Sequence, residues 1–332
     1  MRFVGIRLIL ALVAVVALLA MAACEAEEPT ATPAPTPTPT PEVDDTPIWV
    51  GLLPIIDSVP FYLAEEEGLF EAAGLNVTFE TFSSALERNV ALESGAIDGQ
   101  LADLIATGLI NGEQHNVSIV KTTYRATSDV AMIALVAGAD SGIDAPADLE
   151  GKSIGISTNS LIEYHLDLYL DEAGLARDSV EKTEVASIPV RMELLSQGQL
   201  DAAVLPEPLI TLAVNAGGTV ILDDRQSRLG MSVLEFNVDY LTDHEENVKK
   251  FLAVHEEAVQ LINANPDQYA YLLPEKARLP EFLVGIFNVP PFPSNDVPTA
   301  AETQQASEWL LEKGLIDEAK EYGHWVHPRF IP

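Results

Sequence analysis

The chain has 332 residues, 48% of them hydrophobic, and a formal net charge of −33 at neutral pH. That length supports one large or two medium domains, and that apolar content supplies a buried core. So large a negative surplus, without a basic patch, repels nucleic acid and anionic membrane surfaces and excludes both as charge-driven partners.

The first 24 residues read as an export signal: Arg2 and Arg7, then an apolar run, then small residues ending at Cys24. The run is shorter than the ~20 residues a bilayer span needs. Cys24 is the single cysteine, so no intramolecular disulfide is expected. Its place after "MAA" resembles the bacterial lipoprotein box, with Met21 where that box more often has Leu. The resemblance implies acylation of Cys24 and a lipid anchor. Residues 25–46 form a Pro/Thr-rich tract that cannot bury a core and reads as an extended tether, reaching roughly 60–70 Å at ~3.1 Å per residue.

From Pro47 the pattern changes. "PIWVGLLP" is a short apolar run closed by Pro54 and reads as a buried strand. "VPFYLAEEEGLFEAAGL" reads as one helix with Phe61, Leu63, Leu69 and Phe70 on its apolar side and Gly74 as its stop. "NVTFETF" alternates like a strand. "SSALERNVALESG" is a helix capped by Ser83 or Ser84 and ended by Gly95. "AIDGQLA" and "NVSIVKTTY" are further strands. A second series then begins. "LEGKSIGIS" is a strand, and "TNSLIEYHLDLYLDEAGL" a helix capped by Thr158, Asn159 or Ser160. "VEKTEVAS" is a strand, "IPVRMELLSQG" a helix and "QLDAAVLP" a strand. The tail from Tyr240 reads as mostly helical. Alternating strands and helices predict α/β architecture with mostly parallel sheets.

The two series are copies of one plan. "RNVALESGAIDGQLADL" (88–104) and "RMELLSQGQLDAAVLPEP" (191–208) share Arg88 and Arg191, Leu92 and Leu195, Gly95 and Gly198, and Asp98 and Asp201. "EAAGL" at 71–75 likewise matches "DEAGL" at 171–175. Two lobes are expected, with ligands at the carboxyl ends of the strands. The loops there carry Asp57, Ser58, Ser83, Ser84 and Asp103 in the first copy, and Ser157, Thr158, Asn159, Ser160 and Glu207 in the second. Phe61, Tyr124 and Tyr164 are candidate cleft walls, with core packing as the alternative for each. Ser84, Thr158 and Ser160 have helix capping as their structural reading, and Asp57 a turn before Pro60. Asp98 and Asp201 follow helix stops and read as structural; Arg88 and Arg191 read as solvated or paired. Glu207 stands between Pro206 and Pro208, which stiffen the backbone around one carboxylate.

Catalytic signatures are missing from the sequence: there is no nucleotide-type Gly-rich loop, no GxSxG and no HExxH. The "HWVH" at 324–327 has no acidic or Cys partner at ligand spacing, so neither a metal nor a cofactor is expected.

Several stretches resemble solute-binding proteins of ABC importers, in the group that serves nitrate, alkanesulfonates, taurine and thiamine-pyrimidine precursors. They are "PFYLAEEEGLFEAAGLNV", "LESGAIDGQLAD", "DLEGKSIGIS" and "LPEPL". The resemblance spans roughly residues 47–328. It implies a class II periplasmic-binding fold with two crossover strands as hinge, near 126–134 and 228–237. Lobe 1 would comprise 47–129 and 235–332, and lobe 2 would comprise 130–234. It implies an extracytoplasmic, lipid-anchored monomer without catalytic activity, handing a small molecule to an ABC permease and its ATPase. The candidate loops show Asp57, Asp103 and Glu207 and no Lys or Arg, a departure from anion-binding members that points to a donor-rich solute such as an amine or aminopyrimidine. An anion would instead need the helix after Ser157, helped by Lys121 or Arg125. Two alternatives stay open. One is an enzyme of thiamine-pyrimidine synthesis on the same fold, whose implied histidine and Cys motif the single Cys24 does not supply. The other is a tethered sensory or adhesion module.

Overall fold

In the computed structural model, residues 46–227 and 230–330 are described; the signal, the tether and Cys24 lie outside the described residues. Two five-stranded sheets organise the chain. The first has the order β2-β1-β3-β10-β4, from β1 (Ile48–Leu52), β2 (Val77–Thr81), β3 (Gly99–Ala102), β4 (Val117–Arg125) and β10 (Met231–Asn237). The second has the order β7-β6-β8-β5-β9, from β5 (Ile133–Ala137), β6 (Ser153–Ile156), β7 (Glu181–Glu184), β8 (Ala202–Pro206) and β9 (Thr219–Asp223). In each sheet one strand is reversed: β10 is antiparallel to β3 and β4, and β5 to β8 and β9. The sheets are therefore mixed with a parallel majority. The chain changes sheet between β4 and β5, and again between β9 and β10.

The helices follow the apolar spacing. The single helix expected over 59–75 is two, α1 (Val59–Glu66) and α2 (Leu69–Ala72). Gly68 separates them at φ 68, a left-handed conformation that glycine adopts without a Cβ penalty. Next come α3 (Ala85–Glu93), α4 (Leu104–Ile110), α5 (Leu161–Glu172), α6 (Ile188–Ser196) and α7 (Leu209–Asn215). Of the candidate caps, Ser84 accepts from Glu87 N and Ser160 accepts from Ile162 N. The tail contributes α8 (Glu245–Ala264) and α9 (Ala300–Glu312). α9 packs against α4 of the first lobe, while its Trp309 donates through Nε1 to Asp167 on α5 of the second, at 3.1 Å.

The internal repeat is visible atom by atom. Asp98 Oδ2 accepts from Trp49 N at 2.8 Å, and Asp201 Oδ2 accepts from Ser153 N at 2.8 Å. Each carboxylate thus ties the segment after a helix stop to the head of the matched strand, β1 or β6, the structural role expected of both. Lys121 and Arg125 on β4 do not reach the space between the lobes. Lys121 is buried in an ion pair with Glu256, and Arg125 binds Asp296 and Glu302.

Candidate functional site

A cavity lies between the lobes, against the carboxyl ends of β1, β3, β6, β7 and β8. The first lobe contributes Leu53, Ile55, Arg88, Asp103 and Ser232; the second contributes Ser157, Ser160, Ile162, Ile188 and Arg191. The space open to the centre of a water molecule is about 60 Å³, room for a few waters or a small head group. A recess at its mouth shares Asp103, Ser157 and Ser160 and adds Thr158, Asn159 and Glu184. The lobes meet beside it, where Ile188 N donates to Ser83 O at 3.2 Å.

Two arginines face this cavity from matched positions. Their stems lie over glycines of matched strands, Gly51 of β1 and Gly155 of β6. A Cβ on Gly51 would sit 3.0 Å from Arg88 Cγ, and one on Gly155 would sit 3.2 Å from Arg191 Cγ. Their heads differ. Arg88 donates to Gln100 Oε1 through Nε, to Leu101 O through Nη1 and to Asn89 Oδ1 through Nη2. Arg191 donates from Nη1 to Val185 O at 2.8 Å, while its Nε and Nη2 are buried without a partner. The sequence explains this. At the repeat offset Asn89 corresponds to Met192, and across the matched strand pairs Gln100 (beside Gly51) corresponds to Ala203 (beside Gly155). Burial pulls the Arg191 guanidinium down to about 10, still charged at neutral pH.

The acidic residues are arranged otherwise. Asp103 caps α4, its Oδ1 accepting from Ile105 N and Ala106 N, each at 3.0 Å. Burial raises its pKa, opposed by Arg88 and those two N–H groups. Asp57 lies behind the wall, accepting from Ser232 Oγ, and burial pushes it up to about 7. Glu207 turns back on α7 to accept from Thr211 N and Oγ1 at 3.1 and 3.0 Å, and it lines a separate recess with Asp129, Asp223 and Arg225.

Of the candidate residues, Asp103 and Ser160 line the cavity, and Thr158 and Asn159 stand at its mouth. Thr158 donates its backbone N–H and hydroxyl to Glu184. Asn159 adopts φ 54 and donates its N–H to Glu163. Ser58 is buried and donates to Leu53 O. Ser83 and Ser84 serve the start of α3. Phe61 is core, its ring 4.3 Å from that of His255. Tyr124 is buried with an unpartnered hydroxyl, whose pKa is raised by burial and by the charges of Asp57, Glu207 and Asp224. The expectation of a cleft without a fixed cation is overturned, because Arg88 and Arg191 both line it. Their mid-helix positions predict solvated or paired side chains; Arg88 is paired, and Arg191 is not at Nε and Nη2. The signal available for them was the repetition of one arginine at one place in both copies.

The family model described as NMT1/THI5 like matches residues 55–269. This chain belongs to the NMT1/THI5-like family. A Brucella abortus (strain 2308) protein described as a candidate binding protein is 29% identical over 212 residues, covering 62% of this chain. The chain spans 63% of the length of that relative. Among solved structures, the alkanesulfonate-binding protein of Xanthomonas axonopodis pv. citri bound to MOPS aligns with a TM-score of 0.73 at 17% identity, covering 85% of this chain and 98% of that one. The aliphatic sulphonate binding protein of Escherichia coli gives 0.70 at 20% identity, covering 84% and 97%. The nitrate-binding protein of Synechocystis PCC 6803 gives 0.70 at 14%, covering 86% and 87%. At these identities the likeness establishes the fold. The expected two-lobe periplasmic-binding architecture is the observed one.

Proposed function

We propose that this chain is the extracytoplasmic solute-binding component of an ABC importer, capturing a small organic molecule between its lobes and delivering it to a permease. The observation that carries this reading is an interlobe cavity walled by matched elements of both lobes, with Arg88 and Arg191 at equivalent places. A site split between two bodies joined by two crossings couples occupancy to lobe closure, the motion a delivery protein needs. The binding-protein descriptions of the family relatives and fold neighbours support the same reading.

The chain is a non-catalytic monomer on this reading, held to the outer face of the membrane by Cys24 and its tether. No helix among the described residues is long and apolar enough to cross a membrane. The unpartnered edge of Arg191 favours a solute that supplies acceptors, in place of the donor-rich amine or aminopyrimidine suggested by the loop residues alone. Asp103 remains as an acceptor for a donor elsewhere on the solute. The test is mass spectrometry of small molecules released on denaturing the protein, purified without extensive dialysis. One stoichiometric solute, rebinding to the emptied protein by calorimetry, supports the reading. A protein that carries and rebinds nothing when its neighbouring permease is active in the same cells contradicts it.

A further inference from the structure

Arg191 belongs to the wall of the interlobe cavity, and two of its nitrogens, Nε and Nη2, are buried without a partner. They lie on one edge of the guanidinium, because Nη2 is the terminal nitrogen on the side of the Nε–H. The third nitrogen is used by Val185 O. The free edge is therefore a two-donor fork, the geometry that matches the two oxygens of a carboxylate.

The charge balance around the fork is incomplete. Arg88 and Asp103 bear on one another across the first-lobe wall. Glu235 is held by Gln100 and Thr107. Glu184 is the carboxylate that bears on Arg191, and its Oε2 is turned to the backbone and hydroxyl of Thr158. One positive charge is left buried with no ion pair, a costly arrangement unless a ligand supplies the counter-charge. Beyond the fork the walls are apolar: Leu53, Ile55, Leu101, Met132, Ile162 and Ile188.

We propose that Arg191 is the head-group subsite and that the solute is a small monocarboxylate with an apolar remainder. This rests on the solute-binding reading and names its ligand class. A dianion would leave one charge unmatched. A sulfonate would set its third oxygen beyond the two-donor edge, toward the apolar wall.

The test is calorimetric titration of the full-length protein, extracted in mild detergent, with propionate, butyrate, valerate and hexanoate. The amides, amines and sulfonates of the same chains are the comparison arms. The expected result is that at least one acid binds and its amide binds at least about tenfold more weakly. Arg191→Gln and Arg191→Lys should each weaken that acid by roughly a hundredfold, since the first removes charge and fork and the second removes the fork alone. Thermal melting keeps the test decisive: without ligand, Arg191→Gln should melt no lower than the parent, because it removes an unmatched charge. The proposal is overturned if no acid binds, if amide or amine binds as well as acid, if the sulfonate is preferred, or if Arg191→Gln retains acid binding. A native solute that is uncharged yet closes the lobes would overturn it while leaving the importer reading intact.

Discussion

Arg88 and Arg191 occupy one position in two copies of a lobe, yet Arg88 spends its N–H groups within the protein and Arg191 does not. The difference comes from two substitutions between the copies, Asn89 against Met192 and Gln100 against Ala203. The first arginine is held by its own lobe, while the second has two donors without a partner.

Supplying Arg191 with the acceptor its counterpart has should therefore weaken the site. Met192→Asn places a side-chain oxygen where Asn89 serves Arg88. We expect the protein to fold and its affinity for the native solute to fall by about tenfold, about 1.4 kcal/mol and close to the lower end of the range for a hydrogen bond to a charged group. Calorimetry on parent and variant measures it, and unchanged affinity would show that the free edge is not used.

Stability should fall from mildly acidic to mildly alkaline pH. Burial pushes Asp57, Asp224, Glu207 and Glu235 up to about 7. In the unfolded chain the same groups titrate at 3.8 to 4.5. Between those values the folded chain holds more protons. The stability these groups lend is thus complete below about pH 4 and lost as pH rises through about 7. Carboxyls held low by partners, such as Asp201 and Glu256, stay ionised over this interval. The buried imidazoles of His165 and His255, which burial pulls down, oppose the trend below about pH 6.5 but are two against four. The melting temperature should be higher at pH 5 than at pH 8. Asp57→Asn should raise it at pH 8 and leave it nearly unchanged at pH 5. A flat profile would sink this assignment.

Gly155 leaves room for the Arg191 stem. An added Cβ would lie 2.5 Å from Leu200 Cδ1 and 3.2 Å from Arg191 Cγ. Gly155→Ala should cost about 1–3 kcal/mol of stability by overpacking, read by denaturant unfolding. It should also weaken solute binding by displacing the guanidinium. Full affinity in the variant would show that the stem position does not set the head.

Much of this was legible from the residues. Strand β1, the caps Ser84 and Ser160 and the clasps of Asp98 and Asp201 follow from apolar runs, cap chemistry and repetition. Strand β9 and helices α4 and α7 follow from no pattern in the sequence, and β5 and β10 only from the crossover strands that the resemblance implies near 126–134 and 228–237. "IALVA" of β5 is a short continuous apolar run that periodicity cannot assign, and α4 and α7 have seven residues each. The site was harder to read than the fold. Loop position drew attention to Asp57 and Glu207, whose carboxylates turn to Ser232 and Thr211. The arginines sit on helices and reach the cavity along their stems, which no loop-based reading captures.

Anchoring is tested at Cys24. Cys24→Ala should abolish lipid labelling and move the protein from the membrane to the soluble fraction. Retention on membranes without detergent would contradict the lipoprotein assignment.

The central claim is that a solute binds between the lobes and draws them together. Val43–Pro332 forms one compact unit, and small-angle scattering of that unit with and without saturating native solute tests the claim most directly. The account predicts a smaller radius of gyration with solute bound. An identical scattering profile at proven saturation would contradict it.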